Sequence, residues 1–439
     1  MSSKRQYPTA RPVPISRGGT PAQGTSAGVL PASATRAWIV AAGFITFVLA
    51  LFWVRAREMS DAVNAGLICI GATAAVNFGL DFFVLKVHRR GSTGLNWGVC
   101  NHSWERTLTK FLGLLGSFGF VGLIYWLFQE YRTPFYDDYW TLLRRILPWW
   151  TALAVPYFYI LDARQTEPRD ELYQMGLMVT LRFRKLKRDM LVQHLLGWLV
   201  KGYFMPLMFT YLCADIRKFI SLDFSNVQET GQIFDFVYDS IFLLDVALCS
   251  AGYLLAMRLF DTHLRWAEPT LKGWVVALFC YEPFWSLFGK HYLDYESDYS
   301  WGSWLHGTPW LYCIWGSMIL ALLGVYVWST VMFGCRFSNL TNRGIITNGP
   351  YRWTKHPAYI SKNLAWWLIS VPFVVSESWQ DSVRRCGALF VLNWIYYLRA
   401  QTEEAHLSRD PAYIRYVAWL QHNSLFAQLR RLLVIKHGR

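Results

Sequence analysis

Two short stretches near the C-terminus carry the residue types that could do chemistry. The first, at 342–359, packs Tyr351, Arg352, Lys355, His356 and Tyr359 into nine residues and contains no acid. Gly344, Gly349, Pro350 and Pro357 break it, so it reads as a structured loop rather than a helix. A loop that only joins two elements needs neither a His-Pro step nor paired glycines. The second stretch, at 399–416, places Glu403 and Glu404 one helical turn past Arg399, followed by Tyr413 and Tyr416. Arg399 and Glu403, at i and i+4, can pair on one helix face, and the two tyrosines, at i and i+3, also share a face. Histidine and carboxylates are the usual carriers of protons in catalysis. His356 and Glu404 are therefore candidate bases, against the plainer alternatives of a packed loop histidine and a solvated juxtamembrane helix.

The elements that must hold these stretches are apolar. The 439 residues are 54% hydrophobic and only 16% charged, well below the roughly 25% charged residues of soluble domains. Segments of about 17–25 apolar residues can cross a bilayer as helices. Ten candidates occur, at 37–54, 62–85, 111–128, 146–161, 195–213, 236–257, 274–288, 311–333, 363–375 and 384–398. The expected fold is thus all-α, a polytopic transmembrane helical bundle of about ten spans. The net charge of +14 is explained by topology rather than by nucleic acid. With the N-terminus inside, 32 of the 43 Lys and Arg fall on the cytoplasmic side and 10 outside, with Lys201 inside a span. That bias follows the positive-inside rule and puts both termini in the cytoplasm.

Residues 1–36, rich in Pro, Gly, Ser and Thr and free of acid, read as a disordered cytoplasmic tail. The run that follows ends in Arg55 and Arg57 rather than at a small-residue cleavage site, so it reads as a retained anchor. The eight cysteines form no CxxC pair, and neither a metal site nor a disulfide framework is expected. Asp81, Asp239, Asp245 and Glu282 fall within spans, where carboxylates are costly and often functional.

Taken together, the two C-terminal stretches resemble the isoprenylcysteine carboxyl methyltransferase and phospholipid methyltransferase type of integral membrane enzyme. The matching residues are Gly349-Pro350-Tyr351-Arg352, Lys355-His356-Pro357-Ala358-Tyr359, a hairpin at 363–398, Glu403-Glu404 and Tyr413-x-x-Tyr416. The pattern departs from the family at Lys355, where an Arg is usual, at Ser361, where a Gly is usual, and at Asp410-Pro411 before the tyrosine pair. The resemblance covers roughly residues 311–420 and implies a catalytic module at 306–439. It leaves 37–305 as an N-terminal transmembrane module, expected to be lipid-binding or substrate-specific.

What the resemblance implies is methyl transfer from S-adenosylmethionine to a membrane lipid or lipidated, isoprenoid-type acceptor at the cytoplasmic face. The membrane is either a bacterial inner membrane or the endoplasmic reticulum. It also implies a cofactor site formed by Gly349, Tyr351, Arg352, His356, Pro357, Tyr359, Glu403, Glu404, Tyr413 and Tyr416, with Glu404 and Arg399 catalytic. Carboxylates and aromatic faces suit the cationic parts of that cofactor, and His356, Arg352 or the glycine-rich turn suit its carboxylate. Two other classes compete: an NADPH-dependent membrane sterol or isoprenoid reductase, and a non-enzymatic lipid transporter or scaffold. The Glu-Glu pair together with His-Pro-x-Tyr favours methyl transfer over both.

Overall fold

The computed structural model describes residues 29–223, 229–296, 300–375, 378–425 and 427–428. The chain is predominantly helical. In order, the main helices are α1 (Ala37–Ala56), α2 (Ala62–Gly79), α3 (Trp104–Leu127), α4 (Asp137–Asp162), α5 (Glu171–Val179) and α6 (Arg188–Ser221). They are followed by α7 (Thr230–Leu254), α8 (Leu271–Leu278), α9 (Pro309–Val331), α10 (Pro357–Ser370), α11 (Trp379–Leu407) and α12 (Pro411–Asn423). Side chains cap several of them. Asp61 accepts from the amide of Asn64, and Asp410 from that of Ala412, satisfying donors that a helix start leaves open.

Five helical segments are long and apolar enough to cross a membrane: Ala37–Ala56, Ala62–Val84, Trp104–Leu127, Arg188–Ser221 and Pro309–Val331. The other five expected spans differ from these for visible reasons. The segment at 146–161 lies in α4, which carries Asp137, Asp138, Arg144 and Arg145 and two internal prolines. That at 236–257 lies in α7, which contains Asp235, Asp239 and Asp245. At 274–288 the chain is two short helical pieces separated by a turn, α8 and a π-helical turn at Trp285–Gly289. The segment at 363–375 is helical only to Ser370, and 384–398 is the middle of a helix charged towards both ends.

The largest core cluster surrounds α6. Phe204, Leu207, Phe209, Leu212 and Ile216 are buried against Cys69 and Ile70 of α2 and against Leu243 and Ala247 of α7. Each such side chain removed from water contributes about 1.5–3 kcal/mol. The connecting segments gather at one end of this bundle. Trp266–Ala267 pairs antiparallel with Thr341–Asn342. Arg258 donates to the carbonyl of Thr93 at 3.0 Å, and the amide of Ala34 donates to the carbonyl of Ile345 at 2.9 Å. Of the tail expected at 1–36, residues 1–28 lie outside the described residues. The last eight run along the loop at 345–348: Thr347 donates to the carbonyl of Pro31 and Asn348 to that of Thr35.

One buried side chain ties this end together. Arg343 donates to the carbonyls of Thr262, Gly252, Phe337 and Cys335. It thereby joins the end of α7, the loop after it and the turn that follows α9. Gly252 allows the approach, since a Cβ there would lie 2.1 Å from the carbonyl oxygen of Phe337. Lysine has three donors on a single point and cannot reproduce a planar fork. Arg343→Lys should therefore leave buried carbonyls without donors, at about 1–3 kcal/mol each. Thermal unfolding of the purified protein in detergent should show a clear drop for Arg343→Lys and almost none for Arg352→Lys, whose side chain is exposed.

Candidate active site

The two chemical stretches meet at the end of the bundle where the loops gather. Gly349–Arg352 forms a short 3-10 turn with Pro350 at its start. Gly349 has φ +56°, and a Cβ there would lie 2.6 Å from Met332, so this position requires glycine. The turn presents Tyr351, whose carbonyl accepts from the hydroxyl of Tyr416 at 2.6 Å. That bond fastens α12 to the loop. His356 precedes α10, and Pro357 occupies the first helical position, where a missing N–H costs nothing. The first turn of α10 and the last turns of α11 then face each other.

Across that gap the hydroxyl of Tyr359 donates to Glu403 at 2.8 Å. Lys355 and His356 reach the two oxygens of Glu404, at 2.5 Å and 2.9 Å. The expected Arg399–Glu403 pair is not formed. Arg399 instead donates to Asn339 at 2.8 Å and lies over the rings of Tyr359, Tyr281 and Tyr396 at 5.2, 5.4 and 5.8 Å. A ring face stabilises a guanidinium without neutralising it. The sequence spacing permitted the ion pair. The tertiary contact with Tyr359 claimed Glu403 first, and the aromatic cluster claimed Arg399.

These groups border a cavity of about 540 Å³, within the range that encloses a cofactor or drug-sized ligand. Of the residues expected at the site, Tyr351, His356, Tyr359, Arg399, Glu403, Tyr413 and Tyr416 line it. Gly349, Arg352, Pro357 and Glu404 do not. Gly349 and Pro357 shape the walls. Arg352 points to the exterior, and Glu404 stands behind the lining with both oxygens engaged. The sequence reasoning missed Tyr281, Asn339, Tyr326, Lys362 and Tyr396 as lining residues, and Lys355, part of the motif but not assigned to the cofactor, also lines the cavity. Of the intramembrane acids, Asp245 lines the cavity and accepts from Tyr326 at 2.5 Å, and Glu282 also lines it. Asp239 pairs with Lys218 at 2.6 Å, away from the cavity, and Asp81 is not in its wall.

The polar inventory of the wall is mixed. Tyr413 Oη and Asp245 Oδ1 are buried and have no hydrogen-bond partner among the described residues. Burial pushes the Tyr359 hydroxyl well above its ordinary value, so it stays a donor to Glu403. Burial also opposes ionisation of Glu404, but the hydrogen bonds from His356 and Lys355 outweigh it and hold this carboxyl below the usual glutamate value. At the edge of the cavity Glu268 receives Thr270 and lies 3.2 Å from His406, both buried.

Comparison with known proteins agrees with the geometry in one region. The model of the isoprenylcysteine carboxyl methyltransferase family matches residues 313–409. That stretch runs from α9 through the first chemical segment and past the end of α11; it includes Glu403 and Glu404 and stops short of Tyr413 and Tyr416. Residues 313–409 are therefore similar to that family, and a membrane methyltransferase is the class of protein to which they point. The match covers 97 of the 439 residues. No curated protein and no solved structure gives a significant match to the chain.

The Glu404 cluster sets a pH dependence. Its folded pKa lies below the unfolded value of about 4.3. The stabilisation is therefore complete above that value and is lost as pH falls through the folded pKa. Melting temperatures recorded from about pH 6 down to about pH 3 should fall more steeply for the wild-type protein than for Glu404→Gln. Parallel curves would show that Glu404 is not held as the geometry requires.

Proposed function

We propose that the protein is an S-adenosylmethionine-dependent methyltransferase acting on a membrane lipid or a lipidated, isoprenoid-type acceptor at the cytoplasmic face. The observation that carries this reading is the cavity itself. It joins the loop bearing His356 and Tyr359 to the helix bearing Arg399 and Glu403, both within the stretch that the family model matches. Two further features support the membrane placement. The excess of Lys and Arg lies on the loops at the site end of the bundle. On this reading α4, α7, the segment at 271–289, α10 and α11 are taken as further crossings, which gives ten and puts both termini on that face.

The residues present fit the cofactor. Its sulfonium and amino group need anionic and aromatic neighbours, which Glu403, Tyr359 and Tyr351 supply. Its carboxylate and ribose need donors and acceptors. The unpartnered Tyr413 hydroxyl and the guanidinium of Arg399 face the same space. When bound, the cofactor supplies an electrophilic methyl group, transferred in line as its carbon–sulfur bond breaks and a bond to the acceptor forms.

The chain's own part is positioning and the exclusion of water, which together provide most of the rate in such a displacement. The cavity has a polar end at Arg399, Glu403 and Tyr413. It also has an apolar depth between α6, α7 and α8, lined by Leu207, Phe242, Val246 and Ala277. An acceptor with a polar head and a hydrocarbon tail matches that division. A carboxylate acceptor needs no base. An ammonium acceptor must first give up a proton, and Glu403 is the group placed to take it. Its Oε1 has no partner among the described residues, whereas both oxygens of Glu404 are held by Lys355 and His356.

The test is a calorimetric titration of S-adenosylmethionine into the detergent-purified protein. Wild type should show saturable binding. Glu403→Gln and Tyr359→Phe should weaken it by about ten- to a hundredfold, the worth of a charge-assisted hydrogen bond. Arg352→Ala, on the exterior, should bind normally. Binding of NADPH in place of S-adenosylmethionine would put the reductase reading ahead, and binding of neither would remove the enzymatic reading.

A further inference from the structure

A second cavity, of about 690 Å³, lies against an earlier stretch of α6 than the first, lined by residues from Gln193 to Met205 rather than from Leu207 to Asp215. The two are separated by a wall of three rings. Tyr253 faces the second cavity, and Tyr281 the first. Phe204 lies between them, stacked on Tyr253 at 5.7 Å and edge-on to Tyr281 at 4.9 Å. The lining of the second cavity is mostly hydrocarbon, with Leu114 and Phe118 from α3 and Leu147, Trp150 and Leu153 from α4. Leu153 is 63% exposed. The cavity therefore opens on the outer flank of the bundle, the side that a bilayer would cover.

Inside this apolar space stands a cation. Lys201 is about 20 Å along α6 from the start of the helix and lines the cavity. It makes no hydrogen bond or ion pair among the described residues. Its ammonium lies 5.2 Å from the ring of Trp198. Two of the three acids that border the same cavity are engaged elsewhere. Asp162 is held by Arg106 and Lys110 at 2.7 and 2.9 Å, and Asp170 by Lys110 at 3.3 Å. Glu171, at the start of α5, is not paired with Lys201. Two turns nearer the loop end, His194 is satisfied by Ser117 at 2.7 Å. A charged side chain within a span is costly unless something compensates it, and such residues commonly mark ligand pathways. A cationic end in an apolar chamber open to lipid is complementary to an anionic head on a hydrocarbon tail.

We propose that this cavity is a binding site for a single-chain anionic lipid. The carboxylate or phosphate monoester head pairs with the ammonium of Lys201, and the tail lies among Leu114, Phe118 and Leu147. The site is distinct from the methyltransferase cavity and does not depend on the function assigned to that cavity.

The experiment is equilibrium binding of radiolabelled oleate to the full-length protein in detergent, with unlabelled competitors. Oleate should bind at one site per chain. Oleyl phosphate should compete at a similar or lower concentration, and whichever of the two binds tighter identifies the head group. Oleyl alcohol, with the same tail and no charge, should compete at least about tenfold more weakly. Lys201→Met keeps the apolar bulk and should lose oleate by about the same factor, while Lys201→Arg should retain it. Glu403→Gln, in the other cavity, should bind oleate as wild type does. Equal competition by oleyl alcohol would overturn the proposal in the wild-type protein alone, whether or not the variants fold. So would undiminished oleate binding by Lys201→Met.

Discussion

The buried guanidinium of Arg343 is the interaction on which the site end of the molecule depends. A loop that lies against a helical bundle must find partners for its backbone carbonyls away from water. Here four carbonyls from three separate parts of the chain converge on one rigid five-donor group. The desolvation of the charge is offset by these bonds, and the neighbouring guanidinium of Arg336, a like charge, is balanced by Asp261 at 3.4 Å. With that centre fixed, Thr341–Asn342 is placed beside Trp266–Ala267. The turn at 349–352 follows, and α10 then starts in the direction that brings Tyr359 to Glu403.

The cavity shows a division of labour that residue type alone does not reveal. Glu403 and Glu404 are neighbours in sequence and separate in role. Successive positions on a helix point about 100° apart, so one carboxylate faces the cavity and the other faces the stem of the loop. Lys355 departs from the family pattern, yet it has a structural partner in Glu404. A lysine suffices there, because the contact is a point charge against one carboxylate oxygen rather than a two-pronged grip.

Much of this was legible in the sequence. The apolar runs give α1, α2, α3, α6 and α9 directly, because a long run with at most one charge has one stable form in lipid. The motif spacing places Tyr351, His356, Tyr359, Glu403, Tyr413 and Tyr416 together, since each is a few residues from a helix end at the same face. The remaining lining residues come from α6 to α11 and the loops between them. Their approach to the site is fixed by packing between helices that no local pattern encodes. Asp245 stood out as an acid in an apolar run, but its partner Tyr326, 81 residues later, did not. The Arg399–Glu403 pair was misread for the same reason: spacing states what can meet, and two of the competing tyrosines, Tyr281 and Tyr359, come from other segments.

The contact between residues 31–35 and the loop at 347–348 spans more than 300 positions of the chain. During biosynthesis the first of these strands emerges long before the second exists. Its hydrogen-bonding groups must wait in water or at the headgroup boundary until nearly the whole polypeptide has been inserted. The upstream helices can pair as they are made, because their neighbours are close in sequence. The loop that shapes the cavity cannot close until its distant strand is captured. Assembly of the site is in this sense a final fastening, made after insertion and dependent on an intact amino-terminal segment.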